Sequence, residues 1–133
     1  MPELRVAATT EDAVVVTMYN LVTTPERYDG KVVHVIGVGR FESGFGAEDA
    51  WALYPTHDDS NHMTCSMVYV ENLVPELQPE TPKLAALMDK YVWVTGTFRA
   101  APPLAPGVIS MRPCPNAGEL HAVTQVSHWE YGD

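Results

Sequence analysis

Basic residues are scarce in this chain: 8 Lys and Arg stand against 17 Asp and Glu, a formal net charge of -9 over 133 residues. Binding to a phosphate backbone rests on several Lys or Arg side chains neutralising phosphates. The eight here are scattered from Arg5 to Arg112 rather than clustered, so nucleic acid is a disfavoured partner. Cysteine is nearly absent. Cys65 and Cys114 cannot make a disulfide framework, and both are expected as free thiols in a reducing compartment. No apolar run approaches the roughly 18 residues of a membrane-spanning helix. The opening Met1-Pro2-Glu3-Leu4-Arg5 lacks the basic start and apolar core of a secretory signal. The expectation is a cytoplasmic chain with no membrane partner.

Catalytic signatures are missing as well. There is no Gly-x-Ser-x-Gly elbow, and neither cysteine has a histidine at a recognisable offset. Gly37-Val38-Gly39 lacks the third glycine of a dinucleotide fingerprint and leads into a hairpin, not a helix. His34 and His121 fall inside strand patterns, where packing or hydrogen bonding is their expected use. No catalytic residue and no cofactor is expected.

What is present is a β pattern. The hydrophobic share of 46% suits a folded domain. We place a single domain at 13–127, with a flexible lead-in at 1–12 and a tail at 128–133. The organising stretch begins at Tyr28-Asp29-Gly30-Lys31, turn chemistry in which Gly supplies positive φ. A β-branched run follows, with Val33 and Val35 on one face and Val32, His34 and Ile36 on the other. Gly37 and Gly39 then bend it. Residues 90–99 repeat the device: Val92, Val94 and Gly96 echo Val33, Val35 and Gly37.

Around these, residues 13–19 read as an extra strand or the start of a helix running to Leu21, and Thr24-Pro25 as a capped helical turn. A hairpin at 41–50 joins Trp51-Ala52-Leu53-Tyr54. A polar stretch at 56–64 precedes a third strand at 65–70, with Cys65, Met67 and Tyr69 on one side. Thr81-Pro82 caps a helix whose Leu84, Leu87 and Met88 share a face that plugs the barrel end. The fourth strand spans 91–98, a proline-rich loop 101–118, and the fifth strand 119–126. Three strands, a helix and two strands, with glycine bends in the first and fourth, predict a mainly β fold, a five-stranded OB-fold-like Greek-key barrel with an extra N-terminal strand.

Tyr-Asp-Gly-Lys-x-Val-x-Val-x-Gly, then Ala52-Leu53-Tyr54-Pro55 and Val92-Trp93-Val94-Thr95-Gly96, resembles small bacterial single-domain OB-fold proteins over about 24–126. The resemblance implies a binding module and carries no catalytic residue. OB barrels bind through the face of their second and third strands and the adjoining loops. Mapped here, that is Trp51, Tyr54, Met67 and Tyr69 with Phe41 and Phe45 of the first loop. Stacking on bases or sugars and burial in the core are both open to these rings. Glu42, Glu48 and Asp49 beside them favour a protein, a cation or a neutral small molecule as ligand. His57, His62 and Cys65 are the densest set of metal-ligand types, although His-x4-His-x2-Cys matches no strong zinc signature. The strand edge at 14–18 and the tail rings Trp129 and Tyr131 raise self-association into a homodimer.

Overall fold

The computed structural model describes residues 3–5, 13–42, 50–62, 66–101, 107 and 117–131; the side chains of Arg5, Phe41, Glu42 and Ala50 are not included. Among the described residues there are seven strands: β1 (Glu3–Arg5), β2 (Val14–Thr17), β3 (Val32–Glu42), β4 (Ala50–Tyr54), β5 (Val68–Val70), β6 (Tyr91–Ala100) and β7 (Gly118–His128).

Five of them close a ring. β3 pairs antiparallel with β4 and β6, β4 with β5, and β6 with β7, while β5 and β7 run parallel. The ring order β3-β4-β5-β7-β6 is that of an OB-fold barrel. β2 lies parallel to the first half of β3, and β1 antiparallel to the second half of β7, both outside the ring.

The alternation expected of β3 holds: Val33 and Val35 are sealed in the core beside Val92, Val94, Leu53, Val68, Leu120 and Val126, and His34 faces outward. The launching turn also holds. Gly30 takes φ +79, its N–H donates to the Phe98 carbonyl, and Asp29 Oδ1 accepts from the Ala100 N–H at 2.9 Å.

Four stretches add to or differ from their sequence readings. Between β5 and β6 the expected α-helix is a 3₁₀ segment, Pro75–Leu87, with Pro79 and Pro82 inside it. Each proline removes a backbone donor, and the tighter winding stacks residues three apart, so Leu84 and Leu87 plug the core with Leu77 while Met88 turns out to solvent. The stretch at 13–19 is strand and helix in succession: α1 (Met18–Thr23) starts where Thr17 accepts from the Asn20 N–H and Asn20 Oδ1 accepts from the Thr17 N–H. Met18 and Leu21 of α1 enter the core. Within the polar stretch at 56–64 lies α2 (His57–Asn61), capped by Thr56. The lead-in also holds β1, whose Leu4 is fully buried against β7. A three-residue strand carries too little periodicity to be read from sequence. The hairpin tip at 43–49, with Phe45, most of the proline-rich loop and both cysteines lie outside the described residues.

Candidate functional site

Strand parity decides what each expected ligand residue can touch. Trp51 and Leu53 of β4 point into the barrel, whereas Ala52 and Tyr54 point out. Trp51 is therefore a core residue, 3% exposed, and does not share a face with Tyr54.

The outer face of β4 and β5 is closed as well. Ala52, Tyr54 and Met67 form a second buried cluster, with Tyr69 packed against it. α2 covers the adjoining part of β3 and β4, tied down where Arg40 Nη1 donates to the Ser60 carbonyl at 2.9 Å. Tyr54, at 1% exposure, has no ring face to offer a ligand.

α2 and the residue after it carry the two histidines among the proposed metal ligands. The His57 ring meets Tyr91 edge-on at 4.8 Å, while exposed His62 turns back to Asp58, its Nδ1 2.9 Å from the Asp58 carbonyl. Among the described residues no three His, Cys, Asp or Glu side chains gather as a metal site; Cys65 lies outside them.

A ring-bearing surface lies elsewhere, on the outer face of β3, β6 and β7. His34 stacks on Trp93 with centroids 5.6 Å apart and planes 23° from parallel. Trp93 meets Trp129 at 6.1 Å, and Trp129 meets Tyr131 at 5.3 Å. The Trp129 N–H donates to the Tyr91 carbonyl at 2.8 Å, which carries the β6–β7 pairing past its last strand residue and holds Trp129 on the same face as Trp93. His34, Trp93 and Trp129 are partly buried, and Tyr131 is 79% exposed.

Beside the rings runs a polar row. Register aligns His34 with Thr95 and Thr95 with Gln125, and places Ser127 beside Trp93. The Thr95 hydroxyl lies 2.6 Å from His34 Nδ1 and 3.4 Å from Gln125 Oε1, and Gln125 Nε2 donates to Ser127 Oγ at 3.0 Å. Thr95, Gln125 and Ser127 are all at least nine-tenths buried although they face outward. Burial also lowers the His34 pKa below its ordinary value of 6.5, because the charged imidazolium loses solvation.

Sequence reasoning named Trp93 only as a strand residue, and Trp129 and Tyr131 only as tail rings for self-association. The usable signal was parity. Trp93 alternates with buried Val92 and Val94, so it must face out, and Trp129 shares its face two positions after Ser127.

Fold and surface together define a closed OB-type barrel with an outward aromatic ladder. No family model matches the chain. No curated protein matches it either. Among solved structures, a chain described as an aspartyl-tRNA synthetase from Leishmania major Friedlin aligns over 94% of this chain, at 14% identity and a TM-score of 0.45. This chain spans 22% of that one.

Proposed function

We propose that this barrel is a non-catalytic binding module and that its ligand is a protein segment carrying cationic side chains, held against the ladder His34–Trp93–Trp129–Tyr131. The continuous path of rings on the outer face carries this reading. Aromatic faces attract guanidinium and ammonium groups, worth about 0.5–1 kcal/mol each at exposed sites. A net charge of -9 draws cations and repels polyanions over a longer range.

Tryptophan fluorescence reports directly on Trp93 and Trp129. Titration with an arginine-rich peptide shifts the emission, and Trp129→Ala or Tyr131→Ala weakens binding several-fold. Oligothymidine at low salt leaves the emission unchanged. Tighter binding of oligothymidine than of the peptide, weakening steeply with salt, replaces this reading with a single-stranded nucleic-acid module. Peptide binding that is unaltered in both variants removes the ladder from the function.

A further inference from the structure

A hydroxyl has one proton to give, and Thr95 faces two candidate acceptors. Its oxygen lies 2.6 Å from His34 Nδ1 and 3.4 Å from Gln125 Oε1. Gln125 settles the direction. Its amide is oriented by Nε2, which donates to Ser127 Oγ at 3.0 Å, and this turns Oε1 towards Thr95. Oε1 can only accept, and the Thr95 hydroxyl is its partner in a side chain left 7% exposed. A Thr95 proton turned to His34 would leave two oxygens facing each other in a buried site with no hydrogen between them, which is costly. The proton therefore goes to Gln125, and His34 Nδ1 carries a hydrogen that it donates to Thr95.

This fixes the other nitrogen of the ring. A neutral imidazole protonated at Nδ1 has a bare lone pair at Nε2, on nearly the opposite side of the ring. Nε2 therefore points away from the buried row. Among the described residues it has no partner, and the side-chain atoms buried without one are Trp51 Nε1 and Ser60 Oγ, so Nε2 meets solvent. Register surrounds His34 with uncharged residues: Val15 on β2, and Trp93, Thr95 and Thr97 on β6. Charged residues of the same sheet stand further off, Lys31 just before β3 and Glu3 and Arg5 on β1, beyond β7.

We infer that neutral His34, offering Nε2 as an acceptor beside the Trp93 ring, selects arginine over lysine in the cationic segment. This rests on the ladder reading above and makes it specific. A guanidinium lays its flat face against an aromatic ring and keeps its N–H groups in plane, free to donate at the ring's edge. An ammonium is a compact, strongly hydrated charge that gains less from the same pair of groups. Protonation of His34 reverses the effect, because Nε2 then becomes a donor and sets a positive charge against the ligand. The burial that lowers the His34 pKa keeps the neutral form dominant at neutral pH. Thr95 and Gln125 are positioning residues, which hold the tautomer without touching the ligand.

Two measurements on the full chain test this. Nitrogen NMR with labelled histidine, His34 being assigned by its loss in His34→Leu, reads the tautomer in the free protein. The expected form is Nδ1–H, and a His34 protonated at Nε2 near neutral pH overturns the inference. Tryptophan emission then follows titration with two peptides of equal length and charge, one with arginine and one with lysine alternating with glycine. Wild type should bind the arginine peptide at least about fivefold more tightly at neutral pH, the scale of one hydrogen bond to a charged group. The preference should narrow as pH falls through the His34 titration seen by NMR, and vanish in His34→Leu, whose folding is checked by thermal melting. Equal binding of the two peptides by wild type, weakened in Trp129→Ala, overturns the selection and leaves the ladder reading standing. A preference that persists unchanged in His34→Leu overturns it as well. If neither peptide binds, the ladder reading itself fails and takes the selection with it.

Discussion

The indole of Trp51 occupies the space that a side chain on Gly39 would need: a Cβ there would overlap Cζ2 and stand 2.9 Å from Cε2. Gly39 is fixed by its own backbone, its N–H donating to the Lys90 carbonyl and its carbonyl accepting from the Asp89 N–H at 2.7 Å. Neither partner can retreat easily, because Trp51 is packed in the core and Gly39 lies where β3 meets β6. Gly39→Ala should therefore lower stability by about 1–3 kcal/mol, the usual cost of overpacking. Urea unfolding followed by tryptophan emission measures it; a midpoint within error of wild type would show that the indole has room to move.

Ala122 takes φ +49, in the left-handed region that L side chains disfavour, and its N–H donates to Asn72 Oδ1 at 2.7 Å. The irregularity sits where the β6–β7 register shifts between Thr95 and Thr97. Ala122→Gly should relieve the backbone and raise stability by about 0.5–1 kcal/mol. Asn72→Ala should cost about 1 kcal/mol by leaving that N–H without its acceptor. Opposite signs for the two substitutions in thermal unfolding are the expected pattern, and destabilisation by glycine would contradict it.

Folding disfavours the imidazolium of His34, so between its lowered folded-state pKa and the ordinary 6.5 the unfolded chain binds more protons than the folded one. Stability is then complete above 6.5 and is lost as pH falls through the folded value. Denaturant unfolding from about pH 8 to about pH 5 should show the wild type losing more stability than His34→Gln, which cannot titrate there. Parallel curves for the two proteins would place the pH dependence in other groups.

Thr17 closes β2 and opens α1 through a reciprocal pair of bonds, 2.9 Å to Asn20 Oδ1 and 3.1 Å from the Asn20 N–H. Thr17→Ala should remove one half of the capping box at a cost of about 1 kcal/mol. Because Met18 and Leu21 fix α1 in the core, the loss should appear in global unfolding. Hydrogen exchange confined to α1, with an unchanged global midpoint, would show that α1 frays independently.

How much could be read in advance follows the range of each interaction. The valines of β3 and β6 announced their faces through period-two alternation, and Asp29-Gly30 announced its turn, because both depend on neighbours within a few residues. The order of strands and glycine bends was enough to indicate the barrel. The helix before β6 was misjudged in kind because Pro79 and Pro82 favour a 3₁₀ winding that an apolar spacing alone does not reveal. For the β4 and β5 face, composition picked out aromatic residues without their surroundings: Trp51 points inward, and Tyr54 lies in a sealed outer cluster next to the part of the sheet that α2 covers.

The amino-acid sequence by itself determined which residues of each strand are apolar on alternate positions, where the chain must turn, and that its charge repels polyanions. Only the tertiary structure decided which rings are sealed away and which stand together on one outer face. His34, Trp93 and Trp129 are far apart in the chain and come together through the register of β3 with β6 and of β6 with β7. Such a register is set by closing the barrel around its buried valines and leucines, a cooperative choice that no local segment makes alone.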